Sequence, residues 1–129
     1  MNLTATCCCE SSGITVEGAP FISALCHCDN CKKRTGSAFG VSVYFKNDQV
    51  ISKFGNTESY KINKETKQER HFCKTCGSTI YWYTSSFPEH TGVAGGCFGV
   101  GLIPEPLYTL SNKNKCTWLD LSSDLKHEI

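Results

Sequence analysis

The residues best suited to chemistry in this sequence are its cysteines, ten among 129 residues. Seven of them fall into three short clusters. These read Cys7-Cys8-Cys9, Cys26-His27-Cys28-Asp29-Asn30-Cys31 and Cys73-Lys74-Thr75-Cys76-Gly77. Pairs of thiolates at C-x-C and C-x-x-C spacing are typical ligands of zinc, which binds cysteine sulfur at about 2.3 Å. The spacing predicts metal sites rather than a framework of disulfides.

Backbone geometry indicates which side chains of a cluster can share one metal. In an extended segment, residues two apart point to the same side, so Cys7 and Cys9 are expected together and Cys8 opposite them. The same parity turns His27 away from the metal that its two cysteine neighbours bind, which favours a supporting or packing role for this histidine. A C-x-x-C pair needs a tight turn, and Gly77 suits a turn position with positive φ.

The number of sulfur ligands exceeds the four of one closed tetrahedral zinc site by three. A closed four-ligand site and a three-ligand site with an open coordination position would use all seven. Cys26, Cys28 and Cys31, called the triad below, are close together in sequence and could bind one ion by themselves. The other four cysteines form two pairs that would have to meet across the chain, Cys7 with Cys9 and Cys73 with Cys76. A single ribbon-type site is the competing partition, with ligands Cys28, Cys31, Cys73 and Cys76.

The isolated cysteines are Cys97 and Cys116. Both fit the description of small, buried apolar residues. Cys97 lies in the sequence Gly95-Gly96-Cys97-Phe98, where side chains are small and the backbone is accessible, so a place beside the active site is an alternative for it.

Composition excludes several classes of partner. The 13 Lys and Arg against 12 Asp and Glu give a net charge of +1, and two zinc ions (+4) on seven thiolates (−7) would move it to about −2. Neither net charge suggests a protein that binds nucleic acids or membrane surfaces. No stretch approaches the roughly 18 to 20 apolar residues of a membrane span. Residues 1–6 have neither the charge nor the apolar run of a signal peptide, so we expect a cytoplasmic protein.

Short segments rich in β-branched and aromatic residues predict a mainly β fold, organised as a single domain over residues 1–129. Phe39–Phe45 alternates with period two, and Thr79–Tyr83 is the other strong candidate strand. Weaker strands are predicted over 13–17, 20–26, 50–54, 58–62, 69–72, 93–98 and 107–110. The best candidate helix is short, Asp29–Thr35.

In these motifs the sequence resembles the glutathione-dependent formaldehyde-activating enzyme family, whose domain is shared with the centromere protein V group. The resemblance runs from about residue 4 to Trp118. It rests on the ordered set Cys7-x-Cys9, Cys26-His27-Cys28-x-x-Cys31, KRTGSAFG over residues 33–40, and Phe72-Cys73-x-x-Cys76-Gly77. The sequence departs from the family at Glu10, where Gly is usual, and at Tyr108-Thr109-Leu110, where members often have His-Ile-Trp.

The resemblance implies an Mss4-like (β-tent) fold of short antiparallel strands organised around two zinc ions. It also implies a structural zinc on Cys7, Cys9, Cys73 and Cys76, and a catalytic zinc on Cys26, Cys28 and Cys31. This partition agrees with the ligand count and disfavours the ribbon-type site. The implied activity is that of a carbon–sulfur lyase joining a thiol such as glutathione to a small electrophile such as formaldehyde. The oligomeric state is not implied.

Glutathione carries carboxylates, and a basic turn directly follows the ligand Cys31. Lys33 and Arg34 could bind these carboxylates, although a solvated basic turn is an equal interpretation. The following Gly36 and Ser37 could offer backbone N–H groups to an anion. Phe39 could form a wall of the pocket or belong to the core.

Two other classes of function stay open at this stage. The domain could be a non-catalytic, zinc-stabilised binding module, as in the centromere-associated relatives. Those relatives carry additional charged regions, whereas this chain is essentially the bare domain, which favours an enzyme. A thiol–disulfide redox protein using Cys73-x-x-Cys76 is the third class, and the lack of a βαβ pattern argues against it.

Overall fold

A computed structural model describes residues 1–63 and 67–127 of the chain. One α-helix, α1 (Asp29–Thr35), and three 3-10 helices (Asn47–Gln49, Gly95–Phe98 and Asn112–Asn114) accompany the strands. The strands are β1 (Asn2–Thr6), β2 (Gly13–Glu17), β3 (Ile22–Cys26), β4 (Gly40–Lys46), β5 (Val50–Phe54), β6 (Thr57–Asn63), β7 (Lys67–Cys73), β8 (Thr79–Thr84), β9 (His90–Ala94), β10 (Tyr108–Leu110) and β11 (Lys126–His127).

The mainly β fold predicted from the sequence is confirmed, and β2, β5 and α1 have the predicted bounds. The strand predicted over 93–98 is wrong beyond Ala94, where β9 ends and Gly95–Phe98 forms a 3-10 helix. Two consecutive glycines supply no side chains to pack on a sheet, which weakens a strand at that point. Strands β1 and β11 were not predicted. Within the described ranges, no helix is long and apolar enough to cross a bilayer.

The strands form two sheets. The smaller has the order β1-β2-β5, and the larger has the order β11-β10-β3-β4-β9-β8-β7-β6. All pairs are antiparallel except at one end of the larger sheet, where β10 lies parallel to both β3 and β11. This parallel pairing places Leu110 beside Cys26, so the C-terminal part of the chain lies next to the central cysteine cluster.

The main core lies where the smaller sheet packs on one face of the larger sheet. Its fully buried aliphatic and aromatic side chains come from both sheets: Ala5, Ile14 and Val16 from the smaller, and Val43, Phe45, Ile80 and Val93 from the larger. Burial of this apolar surface stabilises the fold independently of any metal, at about 25 cal/mol per Å².

A second cluster covers the other side of β3, β4 and β8. Trp82 and Tyr44 are its largest members, and the Trp82 indole N–H donates a hydrogen bond to the Tyr44 hydroxyl at 3.1 Å. The guanidinium carbon of Arg34, from α1, lies 4.4 Å from the centroid of the Trp82 ring. The end of α1 is thereby fixed against the sheet.

Candidate metal centres

The first cysteine group joins the loop that follows β1 to the loop between β7 and β8. The four sulfur atoms of Cys7, Cys9, Cys73 and Cys76 lie within 4.8 Å of one another. The Sγ–Sγ distances are 3.6 Å from Cys7 to Cys9 and 3.8 Å from Cys9 to Cys73. Four sulfurs at 2.3 Å from a tetrahedral zinc would be about 3.8 Å apart. The donor set and its spacing therefore fit a closed zinc site.

Two loops of the same form build this group. The Cys7 N–H donates to the Ser12 carbonyl at 3.0 Å, and the Cys73 N–H donates to the Ser78 carbonyl at 2.9 Å. The Cys73 loop uses Gly77 at φ 81°, as the sequence predicted for this position. The Cys7 loop instead uses Glu10 at φ 64°, a left-handed conformation that costs a non-glycine residue about 1–2 kcal/mol.

The extended conformation predicted for Cys7–Cys9 is wrong. The Glu10 N–H donates to the Cys7 carbonyl at 2.9 Å, so these residues form a tight turn rather than continuing β1. The turn still brings the sulfurs of Cys7 and Cys9 together and leaves Cys8 exposed. The predicted pairing is therefore present for a different local reason.

Serines two positions after Cys9 and Cys76 make hydrogen bonds to the sulfurs, and no pattern in the sequence predicted these contacts. The Ser11 hydroxyl lies 3.0 Å from the Cys9 sulfur and 3.5 Å from the Cys73 sulfur, and the Ser78 hydroxyl lies 3.3 Å from the Cys76 sulfur. The Ser11 hydroxyl, followed by that of Ser12, lowers the pKa of Cys73 to about 5. Ser78 lowers the pKa of Cys76 to about 7. These contacts favour the thiolates that a metal requires.

The second group is the local triad, whose three sulfurs also lie within 4.8 Å of one another. Cys26 ends β3, and Cys28 is the N-cap of α1, with its sulfur accepting the N–H of Cys31 at 3.3 Å. The Cys26 thiol donates to the Cys28 sulfur at 3.5 Å, which lowers the pKa of Cys28 and raises that of Cys26. Sulfurs at this spacing fit three positions of a tetrahedral zinc.

The seven sulfurs are thus brought together as four and three. The ribbon-type alternative is not formed, because Cys28 and Cys31 belong to one group and Cys73 and Cys76 to the other. The presence of two potential metal centres was predictable from spacing, and the structure places every predicted ligand in one of them.

His27 lies between two triad cysteines but belongs to neither group in the described part of the chain. Its ring is fully buried, with Nε2 at 3.0 Å from the Thr109 hydroxyl. That hydroxyl donates to Oδ1 of Asn112 at 2.6 Å, so His27 must donate its Nε2–H to Thr109. Burial, with Lys115 and Lys32 nearby, lowers the pKa of His27 and so favours the neutral ring. Thr109 stands in the segment where the sequence departs from the His-Ile-Trp of the family that it resembles.

A cavity of about 350 Å³ is lined in part by Gly40, which pairs with Cys26 in the sheet, although none of the three triad cysteines lines the cavity itself. Arg34, Phe39, Gly40 and Cys97 are among the residues that line it. A Cβ at Gly40 would lie 2.5 Å from Nη2 of Arg34 and 3.3 Å from the Cβ of Cys31, so this glycine lets the guanidinium pass close to the triad. Nη2 of Arg34 is buried without a hydrogen-bond partner. Burial raises the pKa of Cys97, so its side chain is a neutral thiol.

The residues predicted to bind substrate occupy different environments. Arg34 and Phe39 line the cavity, whereas Lys33 is exposed. The N–H groups of Gly36 and Ser37 both donate to the Lys32 carbonyl, at 2.7 and 3.3 Å. These two groups close the C-terminus of α1 and are not available to an anion in this conformation. Cys116 is partly buried and belongs to neither sulfur group.

Both the sequence and the fold are similar to those of known proteins. The sequence profile of the family described as "Glutathione-dependent formaldehyde-activating enzyme" matches residues 2–110. A crystal structure of a Rhodobacter sphaeroides protein has a similar fold, with a TM-score of 0.60 and 24% sequence identity. That similarity covers 81% of this chain and 92% of the other. Among curated proteins, no sequence matches this chain.

Proposed function

Because the chain belongs to the glutathione-dependent formaldehyde-activating enzyme family, we propose that it is a zinc-dependent carbon–sulfur lyase that joins a thiol such as glutathione to a small electrophile such as formaldehyde. The observation that carries this proposal is the triad of grouped sulfurs, with a cavity lined by Arg34 and Gly40 on neighbouring segments. We assign a structural zinc to Cys7, Cys9, Cys73 and Cys76, and the catalytic zinc to Cys26, Cys28 and Cys31.

The number of ligands supports this division of roles. Four protein sulfurs close a tetrahedral site, whereas three leave one position for a substrate atom. A zinc ion on the triad would favour the thiolate form of a substrate thiol near neutral pH. In the overall reaction the substrate sulfur forms a bond to the carbonyl carbon, and the thiol proton ends on the carbonyl oxygen.

The protein's own part is to orient the two reactants. Arg34 is fixed by the Trp82 ring and lines the cavity, so its guanidinium can attract a carboxylate of the thiol substrate. Phe39 and Cys97 supply apolar and weakly polar walls, which shield the reacting atoms from water. Such fixed contacts accelerate a two-substrate reaction mainly by positioning.

We expect the purified protein to contain two zinc ions. It should accelerate the reversible addition of glutathione to formaldehyde, measured by NMR against the rate of the spontaneous reaction. Mild chelation should remove the triad zinc first, because releasing the four-sulfur zinc requires two distant loops to separate. The activity should disappear with the first zinc and return when zinc is restored. A zinc-loaded protein that neither binds thiols nor accelerates any reaction in a panel of small aldehydes would instead support the binding-module function.

The structure also distinguishes the two basic residues proposed to bind substrate. Arg34→Ala should weaken glutathione binding by about 1.5–3 kcal/mol, because it removes a shielded, charge-assisted contact. Lys33→Ala should change it by at most about 1 kcal/mol, because this side chain is exposed. The measurement is calorimetric titration, with a small uncharged thiol as the control ligand. Equal weakening for both thiols in Arg34→Ala would remove this residue from the substrate site.

A further inference from the structure

Arg70 is a buried cation whose role is not explained by the proposed substrate site. It is 3% exposed, and β7 places it opposite Tyr60 of β6 and Trp82 of β8. In the described part of the chain, the ion pair that forms is between His71 and Glu69 and does not involve Arg70. A buried guanidinium without a carboxylate partner is costly, so its position needs an explanation.

The hydrogen bonds of Arg70 extend from the exposed edge of the sheet to the start of α1, where the triad cysteines Cys28 and Cys31 lie. Nε donates to Oε1 of Gln68 at 2.8 Å, and Nη1 donates to the Tyr60 hydroxyl at 3.3 Å. Nη2 reaches the carbonyl oxygen of Asn30 at 3.4 Å. Asn30 lies between the ligands Cys28 and Cys31. The guanidinium therefore connects β7 to the turn that carries two of the triad sulfurs.

We propose that Arg70 is a positioning residue for the triad, holding the Cys28–Cys31 turn through the carbonyl of Asn30. The inference rests on the proposed function, because it requires a metal on the triad. It adds a residue that touches neither substrate nor metal but fixes the geometry of the metal ligands.

The fork of the guanidinium is essential to this role. Its three nitrogens make contacts in three directions, to β6, to β7 itself and to α1. A lysine ammonium would keep the charge but could not maintain all three contacts from one rigid plane. Hydrogen-bond partners outside the ligand shell of a metal typically change its affinity by 10–100-fold when they are removed.

The test is metal binding rather than activity. Co²⁺ is titrated into the metal-free protein, and thiolate–cobalt absorption is followed in competition with a chelator. Arg70→Gln should bind Co²⁺ at the triad about 10–100-fold more weakly than wild type, and Arg70→Lys should fall between the two. The four-sulfur site, measured separately in a Cys28→Ser background, should change by less than about 3-fold. The matched control is Tyr60→Phe, which removes only the contact at the exposed end and should leave both affinities within about 3-fold.

Two results would overturn the inference while leaving the proposed function intact. These are an unchanged triad affinity in Arg70→Gln, and an equal loss at both sites, which would indicate only a general structural role. If Arg70→Gln does not fold, the Co²⁺ affinities of the triad and of the four-sulfur site are compared in Arg70→Lys instead, and an unchanged triad affinity or an equal loss at both sites again overturns the inference. A wild-type triad that binds no metal would overturn the proposed function itself, and the inference with it.

Discussion

Cys9→Ser should lower the free energy of unfolding by several kcal/mol and reduce the zinc content, whereas Cys8→Ser should cost at most about 1 kcal/mol. The two residues are adjacent in one turn and both are exposed, so they form a matched pair. Only the Cys9 sulfur is part of the four-sulfur group, at 3.6 Å from Cys7 and 3.8 Å from Cys73. Since a closed zinc site links two loops that are distant in sequence, its binding free energy becomes folding free energy.

Urea unfolding and elemental analysis of the two variants provide the measurement. Cys8 contributes its backbone N–H to the Ser78 hydroxyl at 3.1 Å, and serine at position 8 retains that bond. The Cys8→Ser protein is therefore a control for the turn itself. Equal loss of zinc from both variants would contradict the four-sulfur assignment.

The second large effect concerns function. Cys28→Ser should abolish binding of glutathione while the protein remains folded, because it removes one of three triad sulfurs and leaves the four-sulfur group and the main core intact. Serine is also one of the preferred N-cap residues, so its hydroxyl can accept the Cys31 N–H that the Cys28 sulfur accepts now. The start of α1 should survive the substitution.

Calorimetric titration of glutathione, paired with thermal unfolding and zinc analysis, distinguishes these expectations. Cys116→Ser is the matched control, since it replaces a partly buried cysteine outside both sulfur groups and should bind glutathione as the wild type does. Glutathione binding by Cys28→Ser at the wild-type affinity would show that the triad is not needed to bind the thiol. That outcome would require a different reactive centre.

Much of the candidate site was predictable because ligand spacing is a local property. Chain geometry alone determines that residues two or three apart can reach one ion, so the two groups of sulfurs followed from the sequence and the family resemblance. The helix Asp29–Thr35 and the positive φ of Gly77 were likewise predicted correctly. At Cys7–Cys9 the pairing was right although the assumed extended backbone was wrong, because a tight turn also brings these two sulfurs together.

The pattern of residues along the chain therefore predicted a mainly β fold with seven cysteines grouped as four and three. Tertiary packing selects the other side chains that surround these two groups. His27 meets Thr109 across 82 residues of chain, and Arg70 meets Asn30 across 40. Arg34 turns inward onto Trp82 while its neighbour Lys33 faces solvent. These contacts depend on strand order and register, which bring together segments whose separation in sequence carries no local signal.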